Sequence, residues 1–223
     1  VPAVCCGVYR LGFSLTTTGV NDFVAKIYIG KPIIAAGAKP MSESRIPNVK
    51  SERKLLHGSR FDVHAMDLVG NDGNTYVREV IRHPGAVVLL PLLDADTVVM
   101  IENTRPTVGE TLLELPAGTR EPNEPAIDTA HRELIEETGY QANEMRVVHE
   151  FYSAPGICDE LMLLYLATEL QAGQHQREAT EQIETRVASR QQILDWIAAG
   201  QIRDAKTLVG LYAFLYSPLL NPA

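Results

Sequence analysis

Glu133, Glu136 and Glu137 are spaced so that, at 100° per residue, a helix would gather their three carboxylates within about 100° of arc. Ile127, Ala130 and Leu134 recur at i, i+3 and i+7 and form an apolar stripe displaced by roughly a quarter turn. One face would pack while its neighbour did chemistry. Carboxylate oxygens clustered in this way suit hard divalent cations such as Mg²⁺, which keep waters to exchange with phosphate oxygens. Ions held there would polarise a phosphoryl oxygen, make a bound water more acidic and neutralise charge as it builds in the transition state, so the favoured reaction is attack on phosphorus. A solvated, Glu-rich amphipathic helix is the commoner meaning of three surface glutamates, and the flanking residues decide between the two.

From Gly118 to Tyr140 the chain reads GTREPNEPAIDTAHRELIEETGY. Gly118, Glu124, Arg132, Glu133, Leu134, Glu136, Glu137 and Gly139 stand in register with Gly-x5-Glu-x7-Arg-Glu-(apolar)-x-Glu-Glu-x-Gly-(apolar), and Tyr140 is a loose last position. At average residue usage, such a coincidence is rarer than roughly one in a million. The stretch resembles the Nudix box, and the chain resembles the Nudix hydrolases. That resemblance implies Glu133 and Glu137 as principal metal ligands, Glu136 assisting, Ala117 contributing its carbonyl, and Arg132 orienting carboxylates through a salt bridge. Read alone, Arg132 could instead form a surface pair with Asp128 four residues earlier, which would be worth little. Gly118 would let the backbone pass close to the site.

Within that superfamily the details resemble the ADP-ribose pyrophosphatases, from about Leu55 to Leu215. The likeness rests on the ELPAG lead-in (Glu114 to Gly118), on Pro155 within SAPGICDE, and on the DAKT sequence that opens the last helix. It implies that Glu160 takes a proton from the attacking water or holds that water in line, with Asp159 competing for the role and Glu136 next. It also marks Arg105 and Glu114 as substrate-side residues and Arg78 as a candidate for the ligand's phosphate or ribose edge, since a guanidinium suits phosphate through its bidentate fork. The implied reaction is Mg²⁺-dependent hydrolysis of ADP-ribose to AMP and ribose 5-phosphate, with Mn²⁺ as a possible substitute. The alternatives are a hydrolase of another nucleoside diphosphate sugar, of GDP-mannose or UDP-glucose type, and a non-catalytic ADP-ribose-sensing module. Similar enzymes form homodimers in which the N-terminal region completes the partner's pocket. Two departures stand out: Asn103, Thr104 and Arg105 replace a common Gln-Tyr-Arg, and Cys158 replaces a Ser or Thr.

Composition sets the frame. The chain has 223 residues, a formal net charge of −8 and 45% hydrophobic content, enough for a proper core and without the basic stripe of a nucleic-acid binder. Cys5, Cys6 and Cys158 fit neither a disulfide framework nor zinc-ligand spacing, so a cytoplasmic setting is expected. The opening VPAVCCGVYRLGFSLTTTG lacks a charged leader and a membrane-length apolar run, and no membrane partner is expected.

The elements that must carry these residues follow from periodicity and turn chemistry. Residues 1–54 are read as a partly flexible extension, with KPMSESRIPNVKSER as a linker-like run. Residues 55–84 hold a β-hairpin closed by NDGN, expected to serve dimerisation. Residues 85–218 hold the catalytic domain, in which GAVVLLPLL, DTVVMIENTR and LLELPAG read as strands before a helix that begins near Pro125 and stops at Gly139. EMRVVHEFYS and LMLLYLATEL read as further strands around the loop APGICDE, and SRQQILDWIAAG and DAKTLVGLYAFLYS read as C-terminal helices. Trp196, Ile193 and Ile197 are expected in the core. The predicted fold is α/β: a Nudix α/β/α sandwich around a mixed sheet, with an N-terminal β-hairpin appendage.

Overall fold

The central strand of the molecule is apolar on both faces, which dictates layers on either side of it. In this computed structural model, which describes residues 48–174 and 182–217, β4 (Ala86–Asp94) is buried from Ala86 to Leu92. It pairs in parallel with β9 (Leu161–Ala172) and antiparallel with β5 (Thr97–Arg105). Successive side chains of a strand alternate between faces. Val87 and Leu89 of β4 and Tyr165 and Ala167 of β9 therefore form one cluster with Ala130 and Leu134 of α1 (Ala126–Thr138). Val88, Leu90 and Leu92 join Leu164 and Leu166 on the opposite face, where Ile193 of α2 (Arg190–Ala198) and Leu211 and Phe214 of α3 (Ala205–Tyr216) cover them. This is the predicted α/β/α sandwich around a mixed sheet.

The remaining strands extend the sheet. β8 (Tyr140–Tyr152) lies beyond β9, and β10 (Ile183–Ser189) lies beyond β5, giving the order β10-β5-β4-β9-β8. β4 and β5 pair only close to their turn, Leu92 with Val98 and Asp94 with Thr97. Farther along, β5 takes β6 (Glu110–Glu114) and β4 takes β7 (Ala117–Thr119) as antiparallel neighbours. Glu114, Ala117 and Gly118 therefore reach the mouth between the two strands.

The N-terminal element is larger than a hairpin. β2 (Asp62–Val69) and β3 (Thr75–Arg82) pair around the expected turn, where Gly73 takes a φ of 79°. β1 (Asn48–His57) adds a third strand alongside β2. Asn48 to Arg53, the end of the run read as linker-like, is thus strand, paired by its backbone despite a burial pattern that is exposed throughout. Lys54, the last residue of the expected flexible extension, is in β1 as well, and residues 1–47 lie outside the described residues. β10 is a second addition: its pattern shows two buried apolar residues, Ile183 and Ala188, separated by exposed and half-buried positions, too weak an alternation to read as a strand from sequence. Trp196 and Ile197 pack against the core, as expected, beside buried Ile193.

Candidate active site

α1 carries the acidic cluster because its caps and its apolar stripe fix both its ends and its rotation. Pro125 sits at the N-cap, one residue before the helix, and Gly139 closes it at φ 75°, with its N–H donating to Ile135 O at 2.9 Å. With Ala130 and Leu134 locked into the core, Glu133 and Glu137 are turned inward and buried, beneath the ELPAG lead-in. A Cβ on residue 118 would lie 1.9 Å from the Glu133 carboxyl carbon, so only glycine allows this approach.

Arg132 organises the carboxylates. Its Nη1 donates to Glu133 at 2.8 Å and to Glu136 at 2.9 Å, and its Nε and Nη2 both reach Glu124 at 3.2 Å. No pairing with Asp128 is found among the described residues. Hydrogen bonding from Arg132, then from the Thr129 hydroxyl, overcomes partial desolvation and holds Glu124 down to about 2, and the same carboxylates raise Arg132 above its ordinary value. Glu137 is held separately, accepting from Ala117 N at 2.9 Å.

Arg132, Glu133, Glu136 and Glu137 open onto a cleft of about 1140 Å³. α1 and the ELPAG lead-in form one wall. The loop between β8 and β9 contributes Glu160, the mouth of β5 and β6 contributes Arg105 and Glu114, and the start of α3 contributes Lys206. Glu160 lies with Oε1 3.5 Å from His83 Nδ1. Asp159 is engaged elsewhere, accepting from Arg82 Nη1 at 2.9 Å and from His83 N at 2.8 Å. Arg78 is placed differently from the other expected substrate-side residues: it is exposed on β3, opposite Met66, and outside the lining of this cleft.

Glu114 lines the cleft but is only 1% exposed, and both its oxygens are taken. Arg105 donates to them from Nε at 2.9 Å and Nη2 at 2.7 Å, and Lys206 Nζ donates at 2.6 Å. Its geometry is that of an anchor that aims two cations at the cleft. Asp204 shares Lys206 at 2.9 Å and caps α3 by accepting from Thr207 N. The DAKT sequence signalled this place, but the role of Lys206 became visible only when the chain brought it against a glutamate 92 positions earlier.

The donor set fits a hard divalent cation. Three carboxylates, of Glu124, Glu133 and Glu136, share Arg132, Glu137 stands on the same helix and accepts from Ala117 N, and the Gly118 cradle brings the backbone against Glu133. In this conformation no three acidic, His or Cys side chains among the described residues are close enough together to hold an ion. Arg132 draws Glu133 and Glu136 towards itself, and the Ala117 N–H draws Glu137.

Comparison with known proteins identifies relatives over most of the described chain. The NUDIX domain family model matches residues 82–208. The ADP-ribose pyrophosphatase of Bacillus subtilis (strain 168) is 33% identical over 171 residues, covering 76% of this chain and 91% of that protein. The GDP-mannose pyrophosphatase of Escherichia coli O1:K1 / APEC is 32% identical over 188 residues, covering 75% of this chain and 95% of that protein. A solved structure titled "Crystal structure of ADP compounds hydrolase" shares the fold, with a TM-score of 0.65 at 20% identity, over 74% of this chain and 90% of that one. From Arg82 in β3 to Leu208 in α3, more than half of its length, the chain belongs to the NUDIX domain family.

Proposed function

We propose that the protein is a divalent-cation-dependent hydrolase that splits the pyrophosphate bond of ADP-ribose into AMP and ribose 5-phosphate. The observation that carries this reading is the convergence, in one cleft, of Arg132 with Glu133, Glu136 and Glu137, of Glu160, and of the Arg105–Lys206 pair on Glu114. Mg²⁺, or Mn²⁺ in its place, would be held by Glu133 and Glu137 with Glu136 and the Ala117 carbonyl, and when bound supplies positive charge to the phosphoryl oxygens and acidity to a coordinated water. Arg132 sets the carboxylates before substrate arrives. Arg105 and Lys206, anchored on Glu114, hold the anionic substrate, since guanidinium and ammonium suit phosphate oxygens. Glu160 takes the proton of the attacking water or holds that water in line; Asp159, committed to Arg82 and His83, is less free to do so.

The relative from Bacillus subtilis supports ADP-ribose, and the relative from Escherichia coli keeps a second reading in view: hydrolysis of GDP-mannose or a similar nucleoside diphosphate sugar. Both share the phosphorus chemistry and differ in base and sugar. The test is a panel of nucleoside diphosphate sugars with Mg²⁺, products separated by chromatography. AMP and ribose 5-phosphate from ADP-ribose, at the highest kcat/KM of the panel, are expected. A higher kcat/KM for GDP-mannose would transfer the assignment to the second reading.

The same reading includes a homodimer through the β1–β3 sheet and a cytoplasmic setting. The sheet exposes Leu55, Leu56, Tyr76 and Val77, each more than half or half exposed, which a second copy would cover. Arg78 on that sheet would then serve the partner's cleft rather than its own. No helix among the described residues is long and apolar enough to cross a membrane.

A further inference from the structure

The loop that carries Glu160 is fastened to the N-terminal sheet at one place. Ile81 N donates to Ile157 O at 2.8 Å and Asp159 N to Ile81 O at 3.2 Å, so that β3 continues into the loop as a single parallel bridge between Ile81 and Cys158. The next residues then grip one side chain. Arg82 Nη1 donates to Asp159 Oδ2 at 2.9 Å, and His83 N donates to Asp159 Oδ1 at 2.8 Å. Both oxygens of Asp159 are thus fixed, and Glu160 follows it directly. The backbone of Glu160 is held as well, its carbonyl accepting from Ser153 N at 3.2 Å and its N–H donating to Cys158 Sγ at 3.3 Å.

Arg82 also lines the cleft and could be mistaken for a phosphate ligand. Its donors are directed elsewhere: Nε and Nη2 clamp the two oxygens of Glu52 on β1 at 2.9 and 2.8 Å, and Nη1 takes Asp159. Nη2 further touches Met66 Sδ at 3.5 Å. A guanidinium fixed on two carboxylates in a fork geometry is a strut. It joins β1, the end of β3 and the Glu160 loop.

We propose that Arg82 and Asp159 are positioning residues for Glu160, and that Glu52 completes a relay by which the N-terminal sheet sets where the Glu160 carboxylate stands in the cleft. The proposal rests on the reading of Glu160 as the group that receives or orients the water's proton. A displacement of about 1 Å at a reacting group can cost as much as about 10²-fold in rate. Substrate affinity, set by Arg105 and Lys206 on Glu114, would be left in place.

The experiment measures kcat and KM on ADP-ribose with Mg²⁺ for Arg82→Gln, Arg82→Lys, Asp159→Asn and Glu52→Gln, each alone and combined with Glu160→Gln. Asp159→Asn and Arg82→Gln should lower kcat by about 10- to 100-fold with KM held within about twofold, and Arg82→Lys should recover part of the loss. Glu52→Gln should follow in the same direction with a smaller loss. In the Glu160→Gln background all of these should become nearly silent, because residues that act through one carboxylate are not additive with its removal. Full additivity in the double variants, or a raised KM with kcat intact, overturns the proposal. Asp159→Asn keeps an oxygen for the His83 N–H and decides the matter if Arg82→Gln fails to fold. Failure of the underlying reading looks different: Glu160→Gln alone would then leave kcat unchanged, whereas a costly Glu160→Gln beside a silent Asp159→Asn removes only the positioning role.

Discussion

Gly118 and Glu133 compete for the same space, and that contact ties the start of the acidic motif to its centre. A methyl group on residue 118 would meet the Glu133 carboxyl group at 1.9 Å, and that group is the far end of a flexible side chain. Gly118→Ala is therefore expected to cost little stability, since the carboxylate can swing away, yet to lower kcat by about 10²-fold through the loss of its place. Thermal melting and steady-state kinetics on the same preparation check it; a variant that unfolds, or one with normal kcat, rejects the account. Glu137→Gln keeps an oxygen to accept from Ala117 N but removes the charge, so the fold should persist while kcat falls about 10²- to 10³-fold at saturating Mg²⁺. Glu160→Gln should fall in the general-base range of about 10²- to 10⁴-fold with KM little changed. These residues were legible in the sequence because their spacing is local: one helix and its lead-in carry nearly all of the motif. Lys206 on Glu114 and Arg82 on Asp159 were not, because partners 92 and 77 positions apart meet only once the sheet has folded.

At the scale of elements, one carboxylate ties the loop that leads into α1 to the helix itself. Glu124 accepts from Arg132, from the Thr129 hydroxyl at 2.8 Å and from Glu121 N at 3.2 Å, which joins the turn after β7 to the second turn of the helix. Its carboxyl is held at about 2 in the folded chain against an ordinary 4.5. A depressed folded value means that the stabilisation is complete above about pH 4.5 and disappears as the pH falls through about 2. Glu124→Gln should accordingly melt about 2–4 °C below the parent at pH 7, the effect of roughly 1 kcal/mol in a chain of this size, and the gap should close in acid. A gap that widens below pH 4.5 would contradict the clamp. The elements themselves differ in how plainly the sequence announces them. β4 and β9 are apolar on both faces and α1 has its caps and stripe, whereas β1 and β10 are edge strands whose side chains face water over most of their length. Those two edge strands are specified by backbone pairing, and hydrophobic period is silent about them.

At the scale of the whole molecule, the β1–β3 sheet has two tasks that must be separated in any test. One is to anchor the Glu160 loop through Ile81, Arg82 and His83. The other, as proposed, is to bring two copies together. Among the described residues β1 is the outer strand of that sheet, so its outer edge and the apolar Leu55 and Leu56, 52% and 54% exposed, are where a second chain would pair. Deleting everything before residue 84 would remove the anchor with the interface, and its loss of activity would say nothing about assembly. Leu55→Glu with Leu56→Glu leaves β3 intact and places charge where a partner would have to desolvate it. Sedimentation at micromolar concentration should report a dimer for the parent chain and a monomer for the double variant. If Arg78 serves the partner's cleft, KM for ADP-ribose should rise in the monomer while kcat holds, because the Glu160 loop stays fastened within each chain. A parent chain that sediments as a monomer with full activity would end the dimer reading and leave Arg78 an ordinary surface residue; a dimeric double variant would place the interface on another face.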